Sequence, residues 1–448
     1  MKRMIFYYLR AWIQDSNRKP LILRGARQVG KTHSIRELGK LFENLVEVNF
    51  EELTEAGAIF EKDLNVDRIV RDLTILTGKK IIPGKTLLFL DEAQEAPRSL
   101  IALRYFYEKM PDLHVIAAGS LLDFAIEQVG VPVGRVQFLY QHPMSFIEFL
   151  LAIDEKILAR EILNISFNNP FDEVIHSKAL NLLGEYIAIG GMPQAVKSWV
   201  KSNDISECAK VHEIITSAYI QDFQKYAKKF QLKYIESIFN KIPHLIGKTI
   251  KYTYFSNEYR KRELEPCLDS LIKANVTHKV IQTSGNGIPL GAESNLEKFK
   301  LIFLDIALVQ NMLGLDVKKW FLDPDVEFIN KGNLIESFIG QEMLAYHDPH
   351  RLPYLYYWQQ ESRISQAEID YVMAIDNKVI PIEVKSGEGR SLKSLHTFLK
   401  THSSSYGIRF SVHNYSIFDN IYSYPLYAAV SVLCQDKKAL ISLFESIN

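Results

Sequence analysis

The sequence predicts an α/β chain: a parallel sheet covered on both faces by helices, then a helical stretch, then smaller mixed units. Three observations carry this. Short continuous apolar runs alternate with helical patterns over the first 140 residues, as in PLILR, TLLFLDE and LHVIAAGS, and strands without polar alternation belong in a sheet buried on both faces. From about 145 to 245 the strand signal gives way to helical periodicity. Beyond 333 a helix precedes two strand-like runs, EIDYVMAI and VIPIEVK.

Taken in order, MKRMIFYYLRAWIQD places its apolar residues at helical spacing, and Arg10 breaks the run where a leader peptide would stay apolar. Residues 20–24 read as the first strand, followed by a glycine turn and the helix THSIRELGKLF. LVEVNF, TLLFLDE, LHVIAAGS and VQFLY supply four more strands. The segment 235–315 reads as helices followed by the strands THKVIQT and KFKLIFLD, the order of a winged helix-turn-helix. Residues 316–333 read as a linker. The expected units are thus 1–150, a helical lid or connector at 151–234, the winged helix at 235–315 and a separate α/β domain at 333–448.

Composition narrows the function classes. The 448 residues carry 53 basic and 53 acidic side chains, so any nucleic-acid surface must be local. Three dispersed cysteines, Cys208, Cys267 and Cys434, form no disulfide framework, which points to a reducing, cytoplasmic setting. The apolar stretch MSFIEFLLAI is interrupted by Glu148 and is too short for a bilayer span. No membrane partner is expected.

The turn RGARQVGKT satisfies G-x-x-x-x-G-K-[ST] between a strand and a helix. Such a turn lets backbone amides converge on phosphate oxygens at the positive end of a helix. Gly25, Ala26, Arg27, Gln28, Val29, Gly30, Lys31 and Thr32 are the expected nucleotide-binding residues. Lys31 would reach the β- and γ-phosphates, and Thr32 would ligate Mg²⁺. Asp91 and Glu92 end an apolar strand: Asp91 suits the metal, and Glu92 suits activation of the attacking water. The pair points to hydrolysis of a nucleotide.

Ser120 ends the next strand, where its hydroxyl could sense the γ-phosphate or cap the helix LLDFAIEQ. Arg135 is a candidate for transition-state stabilisation, in cis or from a neighbouring copy, and equally a loop arginine paired with an acid. The nearest string to a guanine-reading N-K-x-D is Asn330-Lys331-Gly332-Asn333, which lacks the acid. ATP is the expected nucleotide. His33, His114 and His142 have no ligand spacing and are expected to be structural.

RGARQVGKT, LLFLDEAQ, AAGSLLDF and GRVQFLYQHPMSFIEFL resemble the AAA-type ATPase family of archaea and bacteria. The resemblance continues through YIAIGGMPQAV, KFKLIFLDIAL and EIDYV…IEVKSG. It implies an ATP-binding P-loop core, a winged helix and a nuclease-like tail.

In that tail, Glu383 and Lys385 share one strand face, Asp370 lies on the preceding strand, and Glu336 lies on the opening helix. The order resembles the PD-(D/E)XK core of restriction-endonuclease-like folds. Glu336, Asp370 and Glu383 would hold Mg²⁺, and Lys385 would orient water or stabilise charge. A solvated strand edge, or a nuclease-derived fold without activity, fits the same residues.

Seven lysines between Lys225 and Lys251 (225, 228, 229, 233, 241, 248 and 251) share their span with one acid, Glu236. Arg260, Lys261 and Arg262 follow among tyrosines. DNA is the expected macromolecular partner, and a second copy of the chain is the other. The whole reads as a Mg²⁺-dependent ATPase acting on DNA. The alternative is a nucleotide-dependent switch whose C-terminal domain docks a partner without catalysis.

Overall fold

A computed structural model describes residues 1–130, 134–226, 231–360, 367–387 and 392–445, with 225 and 226 described as backbone alone. Among the described residues thirteen strands form two sheets. The first holds β1 (Leu21–Arg24), β2 (Asn44–Asn49), β3 (Thr86–Asp91), β4 (His114–Ala118) and β5 (Gln137–Tyr140), all parallel, in the order β2-β3-β4-β1-β5. Every residue of β3 and β4 is buried, as their unbroken apolar sequence requires when helices cover both faces. Because β4 lies between β1 and β3, the segments following Arg24, Asp91 and Ala118 leave three adjacent strands at one edge. That edge is where open α/β sheets bind ligands.

The helix Ile5–Gln14 buries Ile5, Tyr8, Leu9 and Trp12, one stripe at helical spacing. Its start is anchored by Glu148, whose carboxylate accepts from the Met4 amide at 2.6 Å and from Arg3 Nε at 3.0 Å. Glu148 also closes a capping box with Ser145 at the head of the helix Phe146–Ala152. The acid that interrupts MSFIEFLLAI is therefore buried and fully engaged.

Helices then run from Phe146 to Tyr226. Among the described residues no helix is long and apolar enough to cross a membrane.

The second sheet is mixed and holds β6 (Thr277–Thr283), β7 (Ser294–Phe303), β8 (Leu355–Gln359), β9 (Glu368–Ile375), β10 (Lys378–Lys385), β11 (Gly407–Ser411), β12 (Ser416–Phe418) and β13 (Ile421–Pro425). Its order is β12-β13-β11-β10-β9-β8-β6-β7. The hairpin β6–β7 follows the helices Leu232–Lys241 and Lys261–Lys273. It does not stand apart as a wing: β6 runs parallel to β8, with Val280 opposite Leu355, so one sheet spans both segments.

The stretch expected as a linker is folded. It forms the helices Lys319–Leu322 and Pro324–Asn330, with Trp320 and Phe328 fully buried and Trp320 Nε1 donating to Gln310 at 2.7 Å. Its charges mask two aromatic anchors, which outweigh the polar composition.

The motifs YIAIGGMPQAV and KFKLIFLDIAL meet in the core. Asp305 accepts hydrogen bonds from the Gly191, Ala307 and Leu308 amides at 2.7, 2.9 and 3.2 Å. Gly190, at φ 79°, lies so close that a Cβ there would come within 2.3 Å of Asp305 Oδ1. Both motifs are a structural clasp.

Candidate functional site

The turn after β1 has the shape its glycines allow. Gly25 and Gly30 have φ of 145° and 96°, and a Cβ on Gly25 would lie 2.2 Å from the Gln141 carbonyl oxygen. Only glycine lets the loop pass there. Lys31, at the head of the helix Lys31–Gly39, turns back over the loop, donating to the Gly25 and Ala26 carbonyls at 2.8 Å each. Burial lowers its ammonium to about 8, against the opposing pull of Glu92 and Asp91.

Thr32 Oγ1 donates to Asp91 Oδ2 at 3.1 Å, so the two expected metal ligands already meet. Burial, reinforced by Glu92, raises the Asp91 carboxyl from 3.8 to about 6. Glu92 adopts a left-handed backbone, φ 50°, directly after the strand, a conformation that occurs at functional turns. Its carboxylate accepts from Gln94 Nε2 at 2.7 Å. The Ser120 hydroxyl is buried without a hydrogen-bond partner. It does not cap the following helix Leu122–Val129, whose N-cap is Leu121 with no side-chain bond. A buried orphan hydroxyl beside Asp91 and Lys31 at adjacent strand ends fits a site built for phosphate and metal. Lys31, Thr32, Asp91, Glu92 and Ser120 are thus brought together.

Arg135 is not. Gln137 lies opposite Leu21 and Tyr140 opposite Arg24. Arg135 therefore sits at the sheet edge opposite the loop, half exposed, pairing with Glu108 at 3.1 Å. It cannot reach a nucleotide held by its own chain.

Several loop partners left no sequence signal. Arg3 Nη1 and Gln141 Nε2 both donate to the Val29 carbonyl at 2.9 Å. Arg27 Nη1 donates to both carboxylate oxygens of Asp222 at 2.8 Å, and the Tyr219 hydroxyl donates to the Arg27 carbonyl at 2.8 Å. Asp222 and Tyr219 lie on the helix Ile205–Tyr226, and only the fold brings them to the loop.

The C-terminal carboxylates do assemble, with two lysines beside them. Asp370 Oδ2 accepts from the Val384 amide at 2.8 Å, and Lys385 pairs with Glu383 at 2.5 Å. Glu336, on the helix Gly332–Ala345, pairs at 2.9 Å with Lys300 of β7, which also meets Glu368 at 2.5 Å. Burial and the Asp370 charge push Glu336 up to about 8 and Glu383 up to about 7. Among the described residues no group of three or more His, Cys, Asp or Glu side chains is disposed to hold a metal. The three residues expected to bind Mg²⁺, Glu336, Asp370 and Glu383, lie near a buried ammonium, that of Lys300. The one sequence signal was a lysine inside the buried run of KFKLIF.

On the cationic face, Lys233, Lys241, Lys248, Lys251, Arg260, Lys261 and Arg262 are exposed. Lys228 and Lys229, and the side chain of Lys225, lie outside the described residues. Phe255 is core, and Lys233 lies over the Tyr234 and Tyr259 rings at 4.8 and 5.3 Å.

Residues 17–150 match the model of an AAA domain. Residues 180–319 and 331–428 match two domains of unknown function, DUF8612 and DUF4143. No curated protein matches the chain. Among solved structures, the chain is similar to the Walker-type ATPase paby2304 of Pyrococcus abyssi at 16% identity and a TM-score of 0.44, covering 69% of this chain and 94% of that one. The Aeropyrum pernix ORC1 protein in complex with DNA gives 13% identity, a TM-score of 0.30 and coverage of 72% and 91%. AMPPCP-bound DnaA from Aquifex aeolicus gives 13% identity, a TM-score of 0.26 and coverage of 59% and 75%.

Proposed function

We propose, from an AAA-type P-loop domain over residues 17–150, that the chain binds MgATP, hydrolyses it and couples turnover to the handling of DNA. The observation that carries the ATPase reading is the convergence of Lys31, Thr32, Asp91 and Ser120 at adjacent strand ends, with Thr32 already 3.1 Å from Asp91. The loop amides and Lys31 would hold the phosphates, and Thr32 and Asp91 the Mg²⁺, which supplies charge neutralisation when bound. Glu92, steadied by Gln94, would take the proton of the attacking water. Lys31→Ala should abolish turnover; a variant as active as the parent would remove the assignment of this loop.

The DNA part is supported by the exposed cations of the helix pair before β6. Its test is ATP turnover with and without duplex DNA across a salt series. A catalytic part for Arg135 would require a second copy of the chain, since its own loop is out of reach. The second reading is a slow nucleotide-dependent switch whose C-terminal module docks a partner without cutting. Lys300 among the carboxylates favours docking over cleavage for that module. Tight nucleotide retention with no response to DNA would favour the switch.

A further inference from the structure

We infer that Lys300 is the resident cation of the C-terminal carboxylate cluster, and that its ammonium excludes the divalent metal a nuclease of this architecture would need. The inference stands apart from the ATPase reading.

Geometry makes the case. Lys300 enters from β7, at the far edge of the eight-stranded sheet, while Glu336, Asp370 and Glu383 come from the helix Gly332–Ala345 and from β9 and β10. Its side chain is 2% exposed and places Nζ 2.9 Å from Glu336 and 2.5 Å from Glu368. A cation this buried is tolerated only where acids surround it. Here one of its two partners, Glu336, is an acid a metal would use.

The two remaining carboxylates are engaged at one oxygen each, Glu383 Oε2 being buried without a partner. Asp370 accepts a backbone amide at 2.8 Å. One oxygen of Glu383 is held by Lys385 at 2.5 Å. A divalent ion entering the cluster would sit against the Lys300 ammonium with its hydration shell removed, and like charges at such range repel strongly in a low-dielectric interior. Displacing the lysine instead would strand its charge in the core, because 2% exposure leaves it no path to water short of opening the sheet edge.

The cluster also joins two parts of the chain. Lys300 lies within 180–319 and the carboxylates within 331–428, so the lysine that blocks the metal also fixes β7 to the carboxylate-bearing helix.

The test is Mn²⁺ binding by the nucleotide-free full chain, followed by electron paramagnetic resonance, in the parent and in Lys300→Ala, each with and without Asp370→Asn. The parent should show no Mn²⁺ that Asp370→Asn removes. Lys300→Ala should gain one such ion, bound at least tenfold more tightly than by the parent. A parent site lost on Asp370→Asn overturns the inference, as does a folded Lys300→Ala that gains nothing. Should Lys300→Ala fail to fold, parent crystals soaked in MnCl₂ decide the matter: an anomalous peak between Asp370 and Glu383 overturns the inference, and its absence there upholds it.

Discussion

Replacing Asp91 by Asn should make the nucleotide-free chain more stable at neutral pH while removing its grip on magnesium. Asp91 is 4% exposed at the end of an entirely buried strand. Burial, with the nearby Glu92 charge, raises its carboxyl from 3.8 to about 6. The folded chain therefore binds more protons than the unfolded chain between about pH 4 and 6, and stability falls as pH rises through that window. Above it the penalty is complete, and the displacement corresponds to about 3 kcal/mol.

Asparagine cannot ionise; its carbonyl can keep the bond that Asp91 Oδ1 accepts from the Glu92 amide at 3.1 Å, while its amide nitrogen, in the place of Oδ2, faces the Thr32 hydroxyl, which can turn to accept. Thermal unfolding by circular dichroism should place Asp91→Asn several degrees above the parent at pH 7.5, with the gap closing towards pH 4. MgATP should raise the parent's midpoint and leave the variant's nearly unchanged. A variant no more stable than the parent at pH 7.5, or a gap independent of pH, would refute the reasoning.

Other outcomes follow from the same geometry. MgATP affinity should peak between about pH 6 and 8. It should fall below, as Asp91 takes a proton, and above, as free Lys31 loses one; titration calorimetry across pH reads both limbs. Gln94→Ala frees the Glu92 carboxylate and should lower kcat by roughly tenfold to a hundredfold with little change in nucleotide affinity. Gly190→Ala forces a Cβ to 2.3 Å from Asp305 at a left-handed backbone position and should cost about 3 kcal/mol, seen as a lowered melting midpoint. Arg27→Ala removes the ion pair to Asp222 and should weaken amide protection in the helix Ile205–Tyr226, read by hydrogen exchange.

The five strands of the first sheet were legible because each is a short apolar run bounded by turn residues, and local pattern decides such elements. Their order was not: nothing in LHVIAAGS says that β4 inserts between β1 and β3. Yet that insertion sets Ser120 beside Asp91. The loop motif named its own residues, since backbone conformation and phosphate chemistry are written in the same nine positions. It could not name Arg3, Gln141 or Asp222, which meet the loop through chain separations of 26, 112 and 195 residues. The stretch 316–333 misled because most of its charges lie on the surface of two short helices, while Trp320, Phe328 and the acid Glu327 are buried. Lys300 was hidden for the opposite reason. A lone lysine in an apolar strand carries no pattern, and its meaning comes from acids that follow it in the chain.

Those long-range contacts bear on how turnover would be felt beyond the P-loop. Lys31 now satisfies two loop carbonyls, and a phosphate drawing its ammonium away would leave both to find new donors. The loop is not free to relax alone. Its Val29 carbonyl is held from the N-terminal segment by Arg3 and from the segment after β5 by Gln141. Arg27 is held at its carbonyl by Tyr219 and at its guanidinium by Asp222, both on one helix. A shift of the loop must therefore move that helix or break a charge-assisted pair whose acid is buried, and the second costs more than a small rigid displacement. The helix Ile205–Tyr226 packs against Leu232–Lys241, which carries the exposed Lys233 and Lys241. The phosphate loop is thus joined, through Arg27 and the helix Ile205–Tyr226, to the helix that carries these cations.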